Sequence, residues 1–246
     1  MPTILITGCS SGFGLETARL FLDRGWAVVA TMRQPRADLL PASNRLQVLA
    51  LDVTDATAIA RVVAEAGPID VLVNNAGIGW LNALEGTPMT AARALFETNT
   101  LGPIAMTQAV LPQMRERRGG MIVNVSSSVT FAPLPLLSVY TASKAAVNAF
   151  TESLALELDA FGIRAALVLP GRGPDTSFGT NAFARMTDGF PDAYAELVQR
   201  VFAGHGDGPV TTSADVAEAI WRAATDPSAP TRLPAGADAV AAAQVH

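Results

Sequence analysis

Short apolar runs rich in β-branched residues alternate with longer stretches of helical periodicity. The runs Ile4–Thr7, Ala27–Met32, Gln47–Leu51, Val71–Asn74, Met121–Val125 and Arg164–Leu169 read as strands. Between and after them the pattern predicts helices over Gly12–Arg24, Asp55–Ala66, Ala91–Arg117, Ser138–Phe161 and about Ser213–Thr225, the last with Ser213 as N-cap. Val71-Leu72-Val73 is apolar on both faces, as in a covered parallel sheet. Repeated β-α alternation predicts an α/β fold, a doubly wound parallel sheet flanked by helices. No linker, repeat or low-complexity tract divides the chain, so one domain over residues 1–246 is expected. The irregular stretch from 170 to about 212 is rich in Gly, Pro and Asp. It follows a late strand, where a substrate-covering loop would sit.

Composition narrows the function classes. Half of the 246 residues are hydrophobic and 16% are charged, which argues against disorder. The net charge of −5 gives no general basic footprint, so no nucleic-acid partner is expected. Cys9 is the sole cysteine, which excludes an intrachain disulfide and a Cys-based metal cluster, and no metal is expected. The N-terminus lacks a basic n-region and a long apolar h-region, and no apolar run reaches the length of a membrane span. A cytoplasmic protein without membrane partners is the expectation.

The stretch "TILITGCSSGFGLETARLF" admits two chemistries. Gly8-Cys9-Ser10-Ser11-Gly12 fits G-x-S-x-G, the turn that exposes a nucleophilic serine. That site needs an acid, a histidine and an oxyanion donor from an earlier loop. Almost nothing precedes this serine, and His205 and His246 are the two histidines of the chain. Gly8, Gly12 and Gly14 also follow a strand and open a helix, aiming backbone N–H groups and a positive dipole end at a phosphate. Their spacing, G-x-x-x-G-x-G, departs from the generic dinucleotide fingerprint, and a bare tight turn is an alternative. No Lys follows, so the P-loop pattern fails. The second strand ends Ala30-Thr31-Met32-Arg33, with no acid to grip a ribose hydroxyl. Arg33 can pair with a 2′-phosphate, which favours NADP(H) and leaves NAD(H) as the lesser option; otherwise it is a solvated surface arginine.

Tyr140 and Lys144 lie four apart on a predicted helix and point the same way. An ammonium near a phenol favours the phenolate, and such a Tyr can act as acid or base. Ser126, Ser127 and Ser128 leave a strand end just upstream. By itself Y-x-x-x-K is more often a half-buried tyrosine and a surface lysine.

T-G-x-x-x-G-x-G (Thr7 to Gly14), N-N-A-G (Asn74 to Gly77), Asn99, a serine thirteen before a tyrosine, Y-x-x-x-K and Pro170-Gly171 occur in one order. The ordered set resembles the short-chain dehydrogenase/reductases, from Thr3 to about residue 178. "TGCSSGFG" followed by "VVATMR" is most similar to the 17β-hydroxysteroid dehydrogenase type 1-like branch, where NADP(H) use is common. The resemblance implies a Rossmann-type fold, with Tyr140 as catalytic acid/base and Ser127 binding the substrate oxygen. It implies that Lys144 lowers the Tyr140 pKa and binds the nicotinamide ribose, and that Asn99 helps hold a relay water. The phosphate turn would be Gly8, Ser10, Ser11, Gly12, Phe13 and Gly14, with Ser11 and Arg33 at the 2′-phosphate. Asp52 and Val53 would touch the adenine, while Asn74, Ala76 and Gly77 would line the cofactor. Pro170, Gly171 and Gly173 would meet the nicotinamide. The implied assembly is a homodimer or homotetramer through the two long middle helices.

Two departures stand out. Arg172-Gly173-Pro174-Asp175-Thr176 is one residue longer than the family's usual loop, where Gly173 can supply a backbone N–H and Pro174 cannot. The chain also ends soon after "RLPAGADAVAAAQ", without the extension some steroid enzymes carry, which weakens a steroid assignment. Trp80, Leu81, Val129, Phe131, Leu134, Leu137, Phe178 and Phe183 suggest an apolar pocket for a hydrophobic ketone or secondary alcohol. Arg172 or Arg185 would instead favour an acidic group. The expected function is NADP(H)-dependent interconversion of a ketone or aldehyde and an alcohol, as a ketoreductase on a small hydrophobic carbonyl. The alternative is a non-catalytic NADP-sensing or regulatory protein on the same fold, against which the intact Asn99, Ser127, Tyr140 and Lys144 set argues.

Overall fold

The computed structural model describes residues 1–186, 189–203 and 208–245, so His205 and His246 lie outside the described residues. Strands β1 (Thr3–Thr7), β2 (Ala27–Met32), β3 (Leu46–Ala50), β4 (Val71–Asn74), β5 (Gly120–Val125), β6 (Ile163–Pro170) and β7 (Arg232–Ala235) form one sheet. All its pairings are parallel, in the order β3-β2-β1-β4-β5-β6-β7. The chain winds outward from β1 to β3, returns to β4, and then winds the other way. The order therefore reverses between β1 and β4, and a crevice opens there at the carboxyl ends of the strands.

Alternation along the strands builds two cores. Ile4, Ile6, Val28, Ala30, Val123 and Val168 face helices α1 (Gly12–Asp23) and α8 (Ser213–Thr225). Leu5, Val29, Leu72 and Ile122 face α2 (Ala56–Ala66), α4 (Gly102–Arg117) and α5 (Ser138–Leu158). Asp55 caps α2 by accepting the N–H groups of Thr57 and Ala58. The N-cap of α8 is Thr212 rather than Ser213, because Thr212 and Asp215 form a reciprocal capping box.

The predicted helix Ala91–Arg117 is two helices, α3 (Met89–Phe96) and α4, joined by a π-turn over Glu97–Leu101. Pro103 has no N–H to give the Asn99 carbonyl four residues back, and its ring would clash there. The Gly102 N–H bonds the Glu97 carbonyl instead, which widens the turn. The irregular stretch after β6 contains α6 (Phe178–Ala184) and α7 (Ala195–Ala203), and α9 (Ala237–Ala243) follows β7. Among the described residues no helix is long and apolar enough to cross a membrane.

Candidate active site

The glycine turn joins β1 to α1. Gly8 (φ +77°) and Gly12 (φ +55°) hold left-handed backbone that side chains disfavour. At Gly14 a Cβ would run into the Gly8 carbonyl, so this glycine lets the helix approach the strand. Asn75 fixes the turn from the next strand: its Nδ2 donates to the carbonyls of Thr7 (2.9 Å) and Gly8 (3.1 Å). The Thr7 hydroxyl accepts the N–H groups of Asn75 and Ala76, both at 3.0 Å. Ser11 stands at the α1 N-cap without capping it, and Ser10, Ser11, Gly12 and Phe13 open on the crevice. Among the described residues no acid–base pair is built on Ser10. Cys9 is buried beneath the turn, and burial pushes its thiol up to about 12.

Ser127, Tyr140 and Lys144 come together at the far end of the crevice. Ser127 leaves β5 and caps a short turn over Ser128–Thr130. Its hydroxyl accepts the Val129 N–H at 3.4 Å and stands near enough to the Tyr140 phenol to lower it. Ser126 is instead taken up by Asn148 Oδ1 at 2.6 Å, which separates the two neighbouring serines. One turn after Tyr140, Lys144 donates from Nζ to the Val125 carbonyl at 2.9 Å. Burial pushes Tyr140 up to about 12, partly offset by the nearby Ser127 hydroxyl. Burial also pushes Lys144 down to about 8. The expected lowering of the phenol by Lys144 is therefore not present: the ammonium is turned to Val125, and desolvation prevails.

Asn99 lies on the π-turn, 1% exposed. Its Oδ1 accepts the Ile78 N–H (2.8 Å), and its Nδ2 donates to the Ile78 carbonyl (3.0 Å) and to Ser143 Oγ (3.1 Å). This side chain ties the turn after β4 to α5, and both of its amide protons are taken. Its carbonyl is the group that lacks an α-helical donor.

The crevice is a cavity of about 1190 Å³. Arg33, Asp52 and Val53 line one end, the glycine turn with Ala76 and Gly77 the middle, and Ser127, Tyr140 and Lys144 the other. Asp52 accepts the N–H and hydroxyl of Thr54, which hold its carboxyl below the usual range. Trp80, Leu134 and Phe178 form part of the wall, together with Leu81, Val129, Leu137 and Phe183. Pro170, Gly171 and Gly173 border it as well.

Besides Asn99, three expected positions lie outside the crevice lining. Asn74 is buried inside the sheet layer, where its Nδ2 donates to Asn124 Oδ1 at 2.8 Å, so Asn75 takes its place at the crevice. Phe131 packs on Val147, Leu167 and Leu169. Gly14 sits below the turn. Sequence reasoning also missed what holds the long loop after β6. The Gly171 N–H donates to Thr211 Oγ1 (2.9 Å), the Arg172 N–H to Asp238 Oδ2 (2.6 Å), and Thr211 meets Asp238 Oδ1 (2.6 Å). No local pattern marks Thr211 or Asp238, because their role exists only once β7 is placed.

These residues fit an extended dinucleotide. The crevice sits at the reversal of strand order, and a helix N-terminus opens on its middle. At Gly77 a Cβ would stand 3.3 Å from Asn99 Oδ1 and 3.5 Å from Lys144 Nζ, so the backbone there leaves the lysine accessible.

Fold and crevice together define an α/β dinucleotide-binding class of protein. Residues 2–186 match the family model of short chain dehydrogenases, and the chain belongs to the short-chain dehydrogenase/reductase family. It is 44% identical to the uncharacterized oxidoreductase YusZ of Bacillus subtilis, over 68% of this chain and 63% of that protein. It is 38% identical to human retinol dehydrogenase 8 over 89% and 76%. It is 40% identical to rat estradiol 17-beta-dehydrogenase 1 over 67% and 52%, which agrees with the branch resemblance. The match thus spans less than two thirds of YusZ and about half of the rat protein. A short-chain dehydrogenase from Streptomyces avermitilis superposes with a TM-score of 0.84 at 35% identity, covering 100% of this chain and 93% of that one. The closed form of a serine dehydrogenase complexed with NADP+ gives 0.81 at 30% identity, covering 96% and 95%.

Proposed function

We propose that this chain is an NADP(H)-dependent oxidoreductase that interconverts a hydrophobic ketone or aldehyde and its alcohol, working as a ketoreductase. The observation that carries the reading is Ser127, Tyr140 and Lys144 gathered in one buried corner of a crevice that begins at a glycine turn. A nicotinamide dinucleotide, when bound, supplies or accepts the hydride. Tyr140 gives its proton to the developing alkoxide, and Ser127 donates a hydrogen bond to the same oxygen. The raised pKa keeps the phenol protonated at neutral pH, the form that reduction needs. Lys144 offers a cation beside the site, and the Asn99 carbonyl, which Pro103 cannot occupy, is the acceptor for a relay water.

Arg33 at the tip of β2, with no acid beside it on the strand, supports NADP(H) over NAD(H). The apolar wall supports a hydrophobic substrate, as do relatives named for retinol and estradiol. Assembly as a homodimer or homotetramer through α4 and α5 belongs to the same reading, and sedimentation tests it. No observation favours the cofactor-sensing alternative.

The test is a panel of carbonyls and alcohols with both cofactors, read by cofactor absorbance. NADPH should support turnover of hydrophobic ketones, and Tyr140→Phe should lower kcat by about 10²- to 10⁴-fold while cofactor still binds. Tight cofactor binding without turnover across the panel, in the wild type and the variant alike, overturns the reading.

A further inference from the structure

We propose that Arg185 is the second arm of an anion site opposite Arg33. A phosphate dianion on the adenosine ribose is then held from both walls of the crevice and latches α6 over Tyr140. The inference rests on the dinucleotide reading above and extends it to a residue outside the nucleotide-binding strands.

Helix α6 lies across the crevice. At its first residue, the Phe178 ring stands 5.6 Å from the Tyr140 ring, centroid to centroid. The helix packs down on Gly79, where a Cβ would come 2.8 Å from Phe178 and 3.0 Å from Ala182. The segment leading into it rests on the glycine turn, with Thr176 against Gly12 and Gly173 against Phe13. Seven residues of helix span about 10 Å, and α6 lines the crevice from Phe178 to Phe183. Arg185 follows its last residue, with Nη1 donating to the Asn181 carbonyl at 2.9 Å.

Arg33 and Arg185 both line the crevice. Burial pushes the Arg185 pKa below the usual arginine value, and the Arg33 charge on the same crevice pushes it further. Among the described residues neither enters an ion pair. Asp52, the acid that senses Arg33, is held by the N–H and hydroxyl of Thr54. Two guanidiniums lining one crevice repel until a dianion accepts from both, and a phosphate monoester has the charge and oxygens to do so. The same chemistry on an acidic substrate is the competing source.

Equilibrium titration with NADP+, NAD+, adenosine 2′,5′-bisphosphate and adenosine 5′-monophosphate separates these cases, using wild type, Arg33→Ala, Arg185→Ala and Arg185→Lys. The wild type should prefer the 2′-phosphorylated member of each pair. Arg185→Ala should weaken that member about tenfold or more and its partner little, and Arg185→Lys should restore part of the loss. Hydrogen exchange over 178–185 should slow with NADP+ more than with NAD+ in the wild type, and equally in Arg185→Ala. An unchanged preference in Arg185→Ala, with loss in Arg33→Ala, leaves Arg33 acting alone and overturns the proposal. Equal weakening of all four ligands makes Arg185 a structural residue and overturns it too. An unchanged preference with a raised KM for acidic carbonyls assigns Arg185 to substrate and likewise overturns it. A wild type that binds none of the four ligands refutes the dinucleotide reading itself.

Discussion

Trp80 carries the residue-scale question that the catalytic trio leaves open. Its Nε1 is buried without a hydrogen-bond partner, in the wall beside the cluster that holds Tyr140. An unmet buried donor costs about 1–3 kcal/mol, so the free protein gains little from this indole N–H. A substrate oxygen beyond the reacting carbonyl would satisfy it. Trp80→Phe should therefore leave the urea midpoint unchanged or slightly raised. It should raise KM about tenfold for substrates bearing a second acceptor, and leave simple ketones unaffected. Equal KM changes for both substrate sets would make Trp80 a packing residue only. Ser127 differs in kind, because its hydroxyl already accepts the Val129 N–H and also lowers the Tyr140 phenol. Ser127→Ala should push the phenol higher still, so a kcat/KM profile in the oxidative direction should move its limb toward higher pH. An unmoved limb would mean that the Ser127 contact does not tune Tyr140.

At the scale of elements, the π-turn over Glu97–Leu101 is the joint on which the site hangs. Asn99→Ala would strip partners from the Ile78 N–H and carbonyl, while the Ser143 hydroxyl would keep only its bond to the Tyr140 carbonyl. That should cost about 2–4 kcal/mol for the stranded groups, read by urea unfolding, and lower kcat as the turn after β4 loosens. A stability change below about 0.5 kcal/mol would show that Asn99 is no tie. The sequence made Asn99 visible as a motif position but hid the tie, which depends on Ile78 and Ser143 arriving from two other elements. Six strands were legible because each is a buried β-branched run, flanked by turn residues. Strand β7 was not: Arg232-Leu233-Pro234-Ala235 is four residues long and contains a proline, tolerable only at a sheet edge. Helices α6 and α7 are short and set among Gly, Pro and Asp, where periodicity has no room to register. Tyr140 and Lys144 were legible because their relation is local to one helix. Asp238 was not, because it reaches Arg172 across 66 residues of sequence. Asn74 and Asn75 differ by one position at a strand end, and only the register with Asn124 turns the first inward.

For the whole molecule, the site is a liability in stability that pH can expose. Lys144 is 5% exposed, and burial holds it near 8 against an ordinary value of 10.5. Below about pH 8 the native and unfolded chains both carry that proton, so the native state bears the whole cost of burying a cation. Between about 8 and 10.5 the unfolded chain binds more protons than the native one, and stability rises with pH. Tyr140 acts in the opposite sense. Its native value near 12 lies above the ordinary 10, so the native state binds more protons from about 10 to 12 and stability falls there. The cofactor-free protein should therefore be most stable near pH 10, as far as these two groups decide it. Lys144→Met should abolish turnover and yet raise stability at pH 7 by on the order of 2–3 kcal/mol, after allowance for the lost bond to Val125. That advantage should shrink as pH rises and be gone by about 10.5. Urea unfolding of both proteins at pH 7 and pH 10 measures it. A variant less stable than the wild type at pH 7 would mean that the Nζ–Val125 bond outweighs desolvation, and that Lys144 supports the fold it was expected to strain.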